Sequence, residues 1–222
     1  MADKSGREYW KELKPGQKVA YFWYYYKWFV IIFGGLAVAL IALAKYMYRT
    51  PTDYMAEVVL VNANSDAADD TDYFDDFISA YGYEEGYDYL YVDSSMTMDV
   101  DGSDESAAST YQILAAMFLT GEIDVFVSDE DVFEMQAENN GFYDLTELLS
   151  DEMLEEYRDD LYYYENEETG ETVLCGIYLN DSPLCTEEGI YEEVPIAGIG
   201  SQSAITDIDI DILSYFLGEE NP

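Results

Sequence analysis

The sequence predicts an α/β domain, a mostly parallel sheet covered by helices on both faces in three layers, preceded by one transmembrane helix. Three observations predict it. Short apolar runs of strand character alternate with segments whose apolar residues recur at helical spacing, and strands separated by helices imply parallel pairing through crossovers. An uncharged apolar run, WFVIIFGGLAVALIALA at residues 28–44, stands near the start between two aromatic clusters. The charge divides just after that run. Eight of the nine Lys and Arg, but only three of the 48 Asp and Glu, fall in the first 50 residues, so that part carries +5 and the remainder −44 of the net −39.

The apolar run is close to the shortest that spans a hydrocarbon core. Its flanks lengthen it: YFWYYYK at 21–27 and KYMY at 45–48. Tyr and Trp favour the headgroup level, and Lys27 can extend its ammonium toward it. Six basic residues precede the run and two, Lys45 and Arg49, follow it. The positive-inside rule then places the N-terminus in the cytoplasm. The expected organisation is a cytoplasmic basic segment at 1–20, a membrane anchor at 21–48, a linker at 49–55 and an extracellular acidic domain at 56–220. The rival reading is a signal peptide cleaved after Ala42-Leu43-Ala44. The long basic segment before the run, and Lys45 after the cut, favour an uncleaved anchor. Gly34-Gly35 would let a second helix approach, although such a pair is commonly incidental.

Thr50-Pro51-Thr52 breaks the helix. AEVVLVNAN at 56–64 then reads as a buried strand, followed by a polar, acidic stretch. Phe74, Phe77, Ile78 and Tyr81 mark one face of a helix that Gly82 stops. YDYLYV at 87–92 is the next strand, with Tyr87, Tyr89 and Tyr91 on one face. An acidic loop at 93–105 leads to a helix at 107–120, whose apolar face includes Ile113, Leu114, Met117 and Phe118. A short strand at 123–127 follows. Ser128 with Asp131 resembles a capping box opening a helix that Asn139-Asn140-Gly141 ends. Leu145, Leu148 and Leu149 make one helical turn, and Met153, Leu154 and Tyr157 another. LYYYENEETGETVLCGIYL at 161–179 reads as a hairpin turning near 168–170. A last strand lies at 193–200, and Thr206 caps a final helix carrying Ile208, Ile212, Tyr215, Phe216 and Leu217.

Composition narrows function. Hydrophobic residues make up 49% and aromatics 16%, enough for a core in spite of the charge. The sequence has no His, which excludes Ser–His and Cys–His catalysis and His-based metal sites. A domain at −44 repels nucleic acid and anionic lipid and attracts cations. Cys175 and Cys185 are open to either a disulfide or two thiols, and two Cys make a poor zinc site.

In open α/β sheets ligands gather beyond the C-terminal ends of strands, near helix N-termini. Those positions here are Asn62, Asn64 and Ser65, then Ser128 and Asp129, then Asn180, Asp181 and Ser182. Each residue would also serve as a helix cap or turn former. Asp99, Asp101, Asp104 and Glu105 suggest calcium, but Gly102 stands fourth from Asp99 where an EF-hand loop needs its glycine sixth. An irregular calcium site or a solvated loop remain the two readings. No other cofactor is called for. Tyr87, Tyr89 and Tyr91 suit either a sugar platform or a half-buried sheet face. Ser201 and Ser203 do not form G-x-S-x-G. Paired carboxylates would permit glycoside hydrolysis, but no nucleophile has an evident activator, and no catalytic residue is assigned.

Three stretches together resemble the extracellular solute-binding proteins of transport systems, the type 2 periplasmic-binding-protein fold. They are TGEIDVFVSDEDVFEMQAENNGFYDLTELL at 120–149, CGIYLNDSP at 175–183, and the strand and helix at 195–217, similar to that family's returning segment. The likeness spans about 55–220. The aromatic N-terminal run also looks like anchors of Gram-positive cell-envelope proteins. The chain departs from the family in one respect: only a few residues separate 175–183 from the returning segment, so the second lobe is missing. The resemblance implies a single binding lobe. Together these readings lead to a non-catalytic, membrane-anchored binding or interaction module of the cell envelope. Its partner is expected to be a small polar or cationic solute or an envelope protein. A cation-dependent surface domain and a carboxylate-based hydrolase are the alternatives.

Overall fold

The computed structural model describes residues 14–49, 54–84, 88–100, 105–166 and 170–219. The chain divides into two compact units, Met1–Pro51 and Thr52–Pro222.

In the first unit, helix α1 is Pro15–Arg49, 35 residues long. Pro15 fits its first position, where a helix has no use for the missing N–H. Phe22, Trp28, Ile32, Leu36 and Ile41 along it are 45–65% exposed. Over the described residues alone, no helix is long and apolar enough to cross a membrane. The side chains of residues 42–49, which include the end of the apolar run, lie outside that description.

The second unit is an α/β domain. Its elements are β1 (Ala56–Leu60), α2 (Ser65–Asp70), α3 (Tyr73–Ala80), β2 (Leu90–Asp93), α4 (Glu105–Thr120), β3 (Val125–Ser128), α5 (Glu130–Glu138), a 3-10 turn (Leu145–Glu147), α6 (Asp151–Glu156), β4 (Leu161–Glu165), β5 (Thr172–Tyr178), α7 (Pro183–Thr186), β6 (Ile196–Ile199) and α8 (Thr206–Phe216). The six strands form one sheet in the order β2-β1-β3-β6-β5-β4.

The expected mostly parallel sheet is corrected to a mixed one. Strand β1 pairs in parallel with β2 and β3. Strand β6 is antiparallel to both β3 and β5, and β5 is antiparallel to β4. The first half of the domain reverses through helices and builds parallel pairs. The second half reverses through a hairpin, and β6 then returns into the gap between β3 and β5.

Helices cover both faces. On one face Val58, Leu60, Val125 and Val127 pack with Phe74, Phe77, Ile78, Ile212, Leu213 and Phe216 from α3 and α8. On the other, Val59, Val61 and Phe126 pack with Leu114, Phe118, Val132 and Phe133 from α4 and α5. The alternation of Val58 to Val61 between the two clusters is the period-2 geometry of a strand. Within the second face, Phe133 stacks on Phe142 with ring centroids 4.2 Å apart.

Several local expectations changed. The acidic stretch after β1 contains helix α2, capped by Asn64, whose side chain accepts from the Ala67 amide. Six residues are too few to display a helical apolar stripe. Helix α5 is capped by Asp129, which accepts from the Val132 amide, and not by Ser128, the last residue of β3. Thr206 is the first residue of α8 rather than its cap. The four-residue helix α7 follows Ser182, its cap, and was not foreseen. The hairpin turn at 167–169 and Tyr87 lie outside the described residues.

Candidate functional site

Strands β1 and β3 are parallel, so their C-terminal ends open at one edge of the sheet. Asn62 follows β1 in the left-handed region, with φ of 59°, a conformation Asn tolerates better than most residues. Its side chain is fully used. Oδ1 accepts from the Met98 amide at 2.7 Å, and Nδ2 donates to the Met98 carbonyl at 2.7 Å and to Asp129 Oδ2 at 2.5 Å. Its own amide donates to the Met96 carbonyl at 3.0 Å. Asn62 thereby pins the 94–99 loop to the strand end and orients Asp129. The other Asp129 oxygen accepts from the Val132 amide at 3.1 Å, so the carboxylate is held by the α5 N-terminus on one side and by Asn62 on the other.

The segment before β6 closes the edge. Tyr191 is buried, with its hydroxyl 3.0 Å from both the Val61 and the Val127 carbonyls. Burial, then the Asp129 charge, push the phenol well above its usual range. The Asn64 amide donates to the Ile190 carbonyl at 2.8 Å. Glu192 and Glu193 follow on the surface. Together Asn62, Asn64, Asp129, Tyr191, Glu192 and Glu193 border a cavity of about 350 Å³. Three of these groups are carboxylates. Carboxylates accept hydrogen bonds from ammonium or guanidinium groups and repel anions.

The sequence-derived candidates separate into two sets. Asn62, Asn64 and Asp129 are brought together at this cavity. Ser65 is exposed in the first turn of α2. Ser128 is buried, and its hydroxyl donates to the Asp129 carbonyl at 3.0 Å. Asn180, Asp181 and Ser182 follow β5 at the same edge of the sheet, since Tyr178 and Ser128 both pair with Ile196. Their roles there are local. Asn180 Nδ2 donates to Asp160 Oδ1 at 2.6 Å, Asp181 is exposed, and buried Ser182 donates to the Phe216 carbonyl at 2.5 Å while capping α7. Tyr191, Glu192 and Glu193 were not anticipated.

Of the four calcium candidates, only Asp99 has a described side chain. Asp99 is exposed. Asp101, Asp104 and the side chain of Glu105 lie outside the described residues. Among the described residues no three His, Cys, Asp or Glu side chains group as a metal site would require. Tyr54 stacks on Tyr91 with ring centroids 5.3 Å apart and meets Tyr89 edge-on at 6.5 Å, so Tyr89 and Tyr91 belong to a tyrosine cluster beside the start of β1. Cys175 is buried and Cys185 half-buried, and both are free thiols. Burial pushes the Cys175 thiol up to about 12, which leaves it unreactive at neutral pH.

Comparison with known proteins returned no matching family model, no matching curated protein and no matching solved structure.

Proposed function

We propose that this protein is a membrane-anchored, non-catalytic binding module of the cell envelope, taking a small cationic solute at the C-terminal edge of β1 and β3. The observation that carries the reading is the cavity bordered by Asp129, Glu192, Glu193, Asn62 and Asn64. Its acceptors belong to a domain whose sole basic residue after Arg49 is Arg158, and Arg158 is engaged at the surface by Glu155 and Asp159. A domain of this charge concentrates cations, and its clefts focus that field.

The anchored part of the reading rests on α1. At 1.5 Å per residue its 35 residues extend roughly 50 Å, against about 30 Å for a hydrocarbon core. Its exposed aromatic and aliphatic side chains, and the basic residues before it, suit a bilayer with the N-terminus in the cytoplasm. The single-lobe reading rests on the sequence resemblance of 120–149, 175–183 and 195–217.

The test is a titration of the full chain in detergent micelles with spermidine, followed by calorimetry. Saturable 1:1 binding is expected, weakened at least tenfold by Asp129→Asn or by the pair Glu192→Gln and Glu193→Gln. Spermidine binding that is unsaturable and unchanged in both variants would reduce the interaction to counterion condensation and end the proposal.

A further inference from the structure

The opposite edge of the sheet, where β1 and β3 begin and β6 ends, holds a second polar cluster that is closed to solvent. Asp209 in the first turns of α8 is 0% exposed, Ser203 3%, Glu57 6% and Asp124 8%. Asp124 ties the strand starts together: its Oδ2 accepts from the Glu57 amide at 2.8 Å, and its backbone carbonyl accepts from the Gly200 amide at 2.9 Å. Ser203 Oγ then stands between two acids, 2.9 Å from Asp124 Oδ1 and 2.6 Å from Asp209 Oδ2. It also accepts from the Ile205 amide at 3.2 Å.

Proton counting decides the state of this cluster. A serine hydroxyl has one proton to donate, so it can serve one carboxylate. If both acids were ionised, the other contact would set lone pair against lone pair, with two like charges buried around one hydroxyl. One acid must therefore hold a proton. Asp209 is that acid, because its Oδ1 has no hydrogen-bond partner among the described residues, whereas both Asp124 oxygens have donors. The chain of donors runs from the Asp209 acid proton to Ser203 Oγ and from the Ser203 hydroxyl to Asp124 Oδ1.

Among the described residues no ion pair offsets these charges. The other ionisable groups around the cluster are Glu57 on β1, which accepts from the Tyr54 hydroxyl, and Glu122 just before β3. On α8 itself lie Asp207, which is exposed, and Asp211, which accepts from the Tyr83 hydroxyl. From α3 and its end, Tyr73 and Tyr81 pack against Tyr215 of α8, and burial raises both phenols.

We propose that Asp209, Ser203 and Asp124 form a proton-locked clasp, fastening the start of α8 and the 200–205 return to the starts of β1 and β3, which loosens when the shared proton leaves. The device makes the domain respond to the pH of its surroundings: it is tight in mild acid and looser above neutrality. Burial first, and then the Asp124 charge, push the Asp209 carboxyl up to about 7 from the ordinary 3.8, against the opposing pull of the Ser203 bond. The sign follows from linkage. Between those two values the folded chain holds a proton that the unfolded chain has released, so stability is full below the lower value. It falls as pH rises toward the upper one and is flat beyond it.

The experiment measures urea unfolding of the full chain in detergent micelles at pH 5 and pH 8, in high salt to screen general acid repulsion. The clasp alone raises the wild-type unfolding constant about a hundredfold between the two. In Asp209→Asn, whose amide supplies a permanent donor to Ser203, that rise is expected to vanish. In Asp207→Asn, which removes an exposed charge from the same helix, it is expected to persist. Parallel pH dependence in all three chains overturns the proposal. Infrared difference spectra of wild type provide a readout that needs no variant to fold: one protonated carboxyl is expected to titrate with a midpoint near pH 7, and its absence also overturns the proposal.

Discussion

Replacing Asn62 tests the organisation of the candidate site most directly. Asn62→Ala removes three side-chain hydrogen bonds, two to the Met98 backbone and one to the Asp129 carboxylate. It also leaves a side chain with no local hydrogen bonds at φ of 59°. Two neutral bonds contribute about 1 kcal/mol each and the bond to a charged acceptor about 1.5–3 kcal/mol. The left-handed backbone costs Ala a further ~1–2 kcal/mol. The expected loss is therefore about 4.5–7 kcal/mol before relaxation, a large share of the ~5–15 kcal/mol typical of a domain. Asn62→Gly removes the same bonds but not the freedom to adopt positive φ, so it should be less damaging than Ala by about 1 kcal/mol. Urea unfolding followed by circular dichroism measures the difference, and amide exchange at Met98 should accelerate in both variants. If Ala and Gly were equally stable, the backbone part of the argument would fail. If both lay within about 1 kcal/mol of wild type with Met98 still protected, the network would not hold the loop, and the cavity would lack the fixed wall its chemistry needs.

Three other predictions concern packing, the Tyr191 bridge and the anchor. A Cβ on Gly198 would lie 2.7 Å from the Cys175 carbonyl oxygen and 2.8 Å from the Phe133 ring, so Gly198→Ala should lower stability by about 1–3 kcal/mol or more in the same unfolding assay. A wild-type midpoint would show that the β5–β6 contact has slack. Tyr191→Phe keeps the buried ring but leaves the Val61 and Val127 carbonyls without that donor. The expected loss is about 1–2 kcal/mol, with weaker spermidine binding as the 190–193 segment loosens. The anchor predicts that the full chain expressed in a Gram-positive host stays with the membrane pellet through alkaline carbonate extraction, while the chain with 1–51 removed does not. Release of the full chain by carbonate would refute it.

Much of the domain was readable as elements. Phe74, Phe77 and Ile78 recur at helical spacing and are buried on α3. Val58 to Val61 alternate between the two sheet faces. Positions 62, 64 and 129 fell at strand ends and meet at one cavity because β1 and β3 are parallel neighbours. The other wall was hidden for a definite reason. In a mostly parallel sheet, the residues before the last strand lie at the edge opposite the strand C-termini. Because β6 runs antiparallel to β3, its leading residues Tyr191, Glu192 and Glu193 arrive at the same edge as Asn62 and Asp129. Nothing within IYEEVPIAG reveals that direction. The clasp was equally illegible, since Asp124, Ser203 and Asp209 are three acids and hydroxyls among many until the fold buries them.

The sequence by itself determined the properties set by local periodicity and by composition. These are the positions of most strands and helices, the separation of basic from acidic residues, and the absence of histidine chemistry. Tertiary structure alone decided the direction of β6, the company that Asp129 keeps, and which acids are buried. The physical reason is range. Side-chain period and charge are written in neighbouring residues, whereas strand order, and the desolvation that turns a surface acid into a proton-holding one, arise from contacts between residues far apart in the chain.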